Sequence, residues 1–401
     1  MGVLVKNATM SVTISLTMLK MVGFWVPERL QGINNLLYSC YTVFAFMFLL
    51  GTYLIIQVVD LFLIWGNIPL MTATAFALFT NMAQAIKIVN ILGRRNRIQV
   101  IVHDADRVLS EVSEKEERDI VKNCNKEMII LQILYFSVTL VTIVGWATSA
   151  EKGQLPLRAW YPYDTSKTPA YQLTYLHQVL ALLIAAYLNV AKDTLVAALI
   201  AQCRCRLQLV GHALRSLGQN LEGTDKVGQV YSSRTSNAVY MLTPEQEASL
   251  SARLQRCVME HQQALKAVGE LQTCFSEPTF MQFMVSLIII CVTAFQLSVG
   301  ATGNMVRLLS MGTYLLNMAF QVFIYCYQGN QLSEESSEIA GSAYFSPWYM
   351  CSVRMRRALL IVMVRTRRIA KLTAGGFTTL SLASFMAVIL SKFSYAYFAF
   401  L

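Results

Sequence analysis

Seven stretches of the chain are almost continuously apolar, and each is near bilayer length. They lie at roughly 36–59, 68–92, 126–148, 171–200, 277–300, 307–329 and 376–401. A membrane-spanning helix needs about 20 such residues, so the pattern predicts seven spans. The first, through "YTVFAFMFLLGTYLIIQVV", carries no charge. The fourth is longer than a bilayer requires and runs on into "AQCRCRLQLVGHALRSLG". It predicts a helix that projects well beyond the membrane. The polar segments between the spans divide the remainder. Residues 1–200 hold spans one to four, 201–276 an extension and loop, and 277–329 spans five and six. Residues 330–375 hold a further helical segment, and 376–401 the last span.

Composition agrees. Hydrophobic residues make up 55% of the 401, charged residues 14%, and mean hydropathy is +0.47. A soluble domain carries about 25% charge. The fold class expected is therefore an all-α membrane protein. The first 35 residues show no compact apolar core followed by a small-residue cleavage site, so no secretory signal is expected.

Charge sets the orientation. Of the 33 Lys and Arg, 25 lie in the segments on one side of the alternation and 4 on the other. Without the long 201–276 loop the balance is still 17 against 4. Cytosolic loops are the basic ones, which predicts a cytosolic N-terminus and an extracellular C-terminus. The net charge of +10 is then a topology signal. No aromatic-interleaved basic patch suggests nucleic acid.

The cytosolic segments read as folded. "TPEQEASL" places Thr243, Pro244 and Gln246 as N-cap, N1 and N3 of a capping box. Leu250, Leu254, Val258, Leu265, Val268 and Leu271 then follow near helical spacing toward span five. "GTDKVGQVYSSRTSNA" reads as a mobile loop, and "SEKEERD" at 113–119 as a solvated helix face or turn. In "SVRMRRALLIVMVRTRRIAKL" the apolar run is too short to span, and basic residues bracket it instead of sharing one polar face. That favours a cytosolic helix packed on protein. Gly375-Gly376 is expected to end it and let the chain bend into the last span.

Enzymatic chemistry finds no support. There is no G-x-S-x-G, P-loop, H-E-x-x-H or C-x-x-C pair. The four histidines are scattered, and the nine cysteines fall in spans or on the basic side, which points to free thiols. "CRC" at 203–205 lacks zinc spacing, so neither metal nor cofactor is expected. Asn7 fits a glycosylation pattern on the wrong side of the membrane. Lys192 and Asp193 are intramembrane charges expected to neutralise one another. A coupled transporter usually carries more midplane carboxylates, with broken helices in two repeats.

The last span has its own pattern. Ser391, Ser394, Tyr395, Phe398 and Leu401 share one helix face at i, i+3, i+4, i+7 spacing. Hydroxyls, a phenol and an apolar end suit either a narrow pore with a hydrophobic constriction or an interfacial aromatic belt.

Three stretches, in this order, resemble the insect odorant receptors. They are "LPLRAWYPYDTSKTPAYQLTYLHQ" at 155–178, "YCYQGNQLSEESSEIAGSAYFSPWY" at 325–349, and the closing "AGGFTTLSLASFMAVILSKFSYAYFAFL". The resemblance covers the whole chain. It implies a tetrameric, odorant-gated, non-selective cation channel in the plasma membrane, with the last helices around a central pore and cytosolic extensions as an anchor. Most members are tuning subunits that assemble with a shared olfactory co-receptor. The co-receptor carries a longer loop between spans four and five than the 201–276 segment here, which suits a tuning subunit, and the closing pattern of gustatory receptors is missing.

By carry-over, the pore residues would be Ser391, Ser394, Tyr395, Phe398 and Leu401, with Lys392 turned toward lipid or a neighbouring subunit. The ligand would sit in the outer half of spans two, three, four and six. That region offers Phe76, Phe79 and Thr80, then Thr142, Gly145 and Trp146. Span four adds Tyr175, Gln178 and Leu182, and span six Tyr314, Asn317 and Met318. Such a set suits a small, volatile, mostly apolar odorant with one hydrogen-bonding group. The alternative is an inverted seven-span chemoreceptor, either a gustatory-type channel or a metabotropic receptor signalling through cytosolic partners.

Overall fold

The structure, a computed structural model, describes residues 10–25, 33–66, 68–148, 167–218, 243–299 and 305–389, with short stretches at 155, 160–161, 163–164, 228–230 and 239–241. It is helical almost throughout. In chain order come α1 (Met10–Met21), then α2 (Ile33–Phe46) and α3 (Thr52–Leu63), joined without a break by a π-helical turn, Met47–Gly51. Next are α4 (Ile68–Gly93), α5 (Arg95–Ser110), α6 (Lys115–Thr148) and α7 (Ala170–Arg215). α8 (Pro244–Val299), α9 (Met305–Tyr344) and α10 (Val353–Thr366) follow, and residues 382–389 form the last described helix, the rest of the seventh predicted span lying outside the described residues. Two small antiparallel hairpins complete the description: β1 (Gly228–Val230) with β2 (Val239–Met241), and β3 (Thr373–Ala374) with β4 (Thr378–Thr379).

The first six predicted spans all fall within helices. Four of the described helices (α6, α7, α8 and α9) meet the length and apolarity needed to cross a membrane. α7, at 46 residues, extends roughly 69 Å at 1.5 Å per residue, about twice the hydrocarbon thickness. Its two halves differ. Leu173, Leu176, Leu180 and Leu183 are exposed on the first half, as lipid-facing positions are. From Leu188 to Leu207 every residue is buried, because α1, α6, α8 and α9 pack around this stretch.

α1 was not foreseen. Ser11, Val12, Ser15 and Leu19 form its buried face, and the Ser15 hydroxyl lies 2.9 Å from that of Thr194 on α7. α5 fills the polar segment after the second predicted span, and the start of α6 is the solvated helix face expected of "SEKEERD". α5 buries Ile98, Ile101, Ala105 and Leu109 at helical spacing. The capping box forms as expected: the Thr243 amide donates to Gln246 Oε1 at 3.0 Å, and the Gln246 amide to Thr243 Oγ1 at 3.3 Å. α10 buries Met355 and Leu359 against the core and packs on α9, while Leu360, Ile361 and Val364 stay exposed.

Pro278 lies inside α8. Proline has no N–H, so the carbonyl of Cys274 loses its helical donor. α4 and the residue after it replace it: Arg94 Nη1 donates to that oxygen at 3.0 Å and Asn90 Nδ2 at 3.3 Å.

The expected role of Gly375-Gly376 needs correction. The preceding helix ends at Thr366, and the two glycines instead form the turn between β3 and β4, with φ of 60° and 77°. Positive φ at both central positions gives a tight primed turn, which glycine adopts without strain. The hairpin is stitched to α8 by the Gly375 amide donating to the Ser276 carbonyl at 3.0 Å. Just beyond it, Leu380 packs onto Gly329 of α9, where a Cβ would stand 2.6 Å from the Leu380 backbone oxygen.

The pairing of Lys192 with Asp193 is also corrected. Successive helix residues point about 100° apart, so the two diverge. Asp193 instead accepts from Lys87 of α4 at 2.5 Å, Tyr325 of α9 at 2.9 Å and Tyr135 of α6 at 3.3 Å. Gln321 of α9 adds a fourth bond and links onward to Gln282 of α8. Asp193→Ala strands the buried Lys87 charge, and losing one partner of such a pair costs about 3–5 kcal/mol. The expected result is a lower melting temperature and reduced surface expression. Adding Lys87→Met should recover most of the loss, and normal melting of the single variant would refute this role.

Candidate ligand-binding site

Directly along the helices from the Asp193 network lies a cavity. Each of four helices presents one stripe to it at i, i+3, i+4 spacing. α4 presents Ala77, Thr80, Asn81 and Gln84, and α6 presents Thr139, Thr142, Ile143 and Trp146. α7 contributes Leu182, Ala185, Ala186 and Asn189, and α9 Tyr314, Asn317 and Met318, while Tyr53 of α3 closes one side. About 90 Å³ is open to the centre of a water-sized sphere, several times the roughly 10–15 Å³ that one water requires.

The lining is mostly apolar, and no charged side chain belongs to it. Several of its polar groups satisfy one another. Thr80 and Tyr314 share a hydrogen bond of 2.7 Å, and Thr139 donates to Asn317 Oδ1 at 3.0 Å. Thr142 donates to the carbonyls of Val138 and Thr313. Three buried atoms differ: Tyr53 Oη, Gln84 Oε1 and Asn189 Oδ1 have no hydrogen-bond partner among the described residues. Leaving such groups unsatisfied is costly. A side-chain amide can turn to offer either oxygen or NH2. The cavity therefore suits an uncharged molecule with a large apolar part and a group, such as a hydroxyl, that both donates and accepts.

The structure brings together seven of the twelve residues suggested for ligand contact: Thr80, Thr142, Trp146, Leu182, Tyr314, Asn317 and Met318. Four others stand outside the lining. Phe79 packs against a neighbouring cluster with Ala83, Val285 and Ile289. Gly145 marks a close approach to α9, where a Cβ would stand 2.9 Å from Ser310 Oγ. Tyr175 donates to the Ala147 carbonyl at 2.7 Å, and Gln178 to Tyr161 Oη at 2.9 Å. Tyr175 thus ties α7 to the end of α6, and Gln178 fastens the loop before α7. The side chain of Phe76 and the pore candidates Ser391, Ser394, Tyr395, Phe398 and Leu401 lie outside the described residues.

Sequence reasoning missed Tyr53, Gln84 and Asn189. Gln84 follows Thr80 by one turn, so the α4 stripe continued one step further contained it. Asn189 stands two turns along α7 from Leu182, on the same face. Tyr53 carried no local signal, because only tertiary packing turns α3 toward the site.

α9 joins three features. Tyr314, Asn317 and Met318 line the cavity, and Gln321 and Tyr325 bind Asp193. Phe323 meets Phe385 of the last helix edge to face, with ring centroids 5.6 Å apart.

Comparison with known proteins places this architecture. A family model described as 7tm Odorant receptor matches residues 67–395. Odorant receptor Or1 of Anopheles gambiae is 27% identical over 96% of this chain and 93% of its own length. Odorant receptor 94a of Drosophila melanogaster is 20% identical over 97% of each chain. Among solved structures, the olfactory receptor OR5 of Machilis hrabei has a similar fold, with a TM-score of 0.79 at 14% identity over 97% of each chain. OR5 in complex with eugenol gives a TM-score of 0.76. With a family model spanning most of its length, and a helical fold shared from end to end, this chain belongs to the insect odorant receptor family, multi-pass membrane chemoreceptors rather than enzymes.

Proposed function

We propose that this protein is the odorant-binding tuning subunit of a ligand-gated, non-selective cation channel, assembled as a heterotetramer with olfactory co-receptor subunits. Its place is the plasma membrane of the sensory dendrite, with the N-terminus cytosolic. The observation that carries the odorant-binding role is the uncharged, mostly apolar cavity with three unpartnered polar atoms. Eugenol, the molecule in the OR5 complex, is an aromatic with a hydroxyl, and a ligand of that class fits the chemistry here.

The route from ligand to pore runs along α9. A ligand wedged against Tyr314 and Asn317 shifts the population toward the helix position that favours the open state. The Phe323–Phe385 contact and the close approach of Gly329 to Leu380 pass that shift to the last helix. Beyond it, Ser391, Ser394, Tyr395, Phe398 and Leu401 face the lumen in this reading. The cytosolic ends of α7 to α9, with α10, form the anchor between subunits. The apolar residues left exposed on α10 support that role.

The direct test is whole-cell current with this chain expressed alone and with a co-receptor, under a panel of volatiles and with G proteins blocked. Rapid cation current only from the pair is expected. A response that disappears with G-protein blockade would overturn the channel reading. Within the cavity, Tyr314→Ala frees Thr80 and removes a wall. It is expected to shift the concentration for half-maximal response by about tenfold, the equivalent of about 1.4 kcal/mol, with assembly intact. An unchanged curve removes Tyr314 from the ligand site. Phe398→Ala is expected to change conductance or basal leak, and no change in either would take it off the pore lining.

A further inference from the structure

Beneath the ligand cavity, charge does not balance. Lys87, Lys192 and Asp193 are 6%, 1% and 1% exposed. All three border one small void, walled also by Asn90, Thr279 and Tyr325. Asp193 is the only carboxylate in that wall. A carboxylate has about four lone-pair sites, and those of Asp193 are engaged: Lys87 and Tyr325 on Oδ1, Tyr135 and Gln321 on Oδ2. It has no capacity left for Lys192. The Lys192 ammonium makes one long bond, 3.4 Å to the Gln84 carbonyl, and no other among the described residues. A nine-tenths-buried amine thus borders a space with donors idle.

The void offers about 20 Å³ to the centre of a water-sized sphere, room for one small particle. Water would fill it but leave two ammonium groups facing one carboxylate. A monovalent anion both fills it and cancels the excess charge. Its contacts would be donors already in the wall: the amines of Lys192 and Lys87 and the hydroxyl of Thr279. Pro278, in the same wall, adds apolar surface.

We propose that this void is a binding site for a halide-sized anion, chloride under cellular conditions, held between Lys192 and Lys87 under the odorant cavity. The site ties α4, α7 and α8 together by charge and is separate from the odorant and pore regions. Because an anion that binds only the folded form stabilises it by mass action, stability reports occupancy.

The test is thermal unfolding of the purified, assembled receptor in chloride, in bromide and in gluconate at matched ionic strength, without odorant. Melting temperatures a few degrees higher in chloride and bromide than in gluconate are expected. Lys192→Met should abolish that difference and, in gluconate, melt at or above the wild type, since the stranded charge is gone. Thr279→Val should weaken the halide response without eliminating it. Equal melting of the wild type in all three salts overturns the proposal, with no variant needed. A halide shift that survives intact in Lys192→Met overturns it as well, by placing the anion elsewhere in the assembly. No odorant or current enters the measurement, so its failure leaves the channel reading untouched.

Discussion

One buried carboxylate organises the centre of this bundle. Asp193 sits on a stretch of α7 that is buried on every side, and it accepts from α4, α6 and α9 at once. In a membrane protein the hydrophobic effect does little to choose between helix arrangements, because lipid tails are as apolar as side chains. Packing and specific polar contacts choose instead. A charge that is satisfied in one arrangement and stranded in others gives the bundle a single register. Gln321 and Gln282 extend that register to α8.

The ligand cavity follows from this tie. Where Asp193 draws the helices together, the bundle is dense. Two to three turns away along α7, where it carries Ala181, Ala185 and Ala186 in place of larger side chains, the same helices leave space. The polar atoms left there are those that no neighbouring helix reaches. The cavity and the network share α9, so a change in what fills one bears on the other and on the last helix beyond. Pro278 gives α8 a weak point at the same level, held by Arg94 and Asn90, and Gly329 lets the last helix approach α9 closely.

Much of this was legible in the sequence. Continuous apolar length located six helices, and the Thr243–Gln246 pair marked the start of α8. Residues on an inward face one turn apart, such as Thr142 with Trp146 and Tyr314 with Asn317, reached the cavity together. What failed to show depended on rotation and on partners distant in sequence. Lys192 and Asp193 look like a pair in sequence, but the helix points them apart, and the true partner of Asp193 is 106 residues away. Tyr175 turns to the end of α6 and Gln178 to the loop before α7, which a helical period alone cannot reveal. α1 is too short to span and α5 is polar in composition, and their buried faces became visible only against α7 and α8.

The central claim is that the unpartnered polar atoms of the cavity bind the hydroxyl of an otherwise apolar odorant. The most direct measurement compares concentration–response curves for an active hydroxylated odorant and its methyl ether, on the wild type and on Asn189→Leu. A hydrogen bond contributes about 0.5–1.5 kcal/mol net. The account predicts that methylation weakens the wild-type response up to about tenfold, and that the variant no longer distinguishes the two compounds. Equal discrimination by both receptors would contradict it and place the hydroxyl against other atoms.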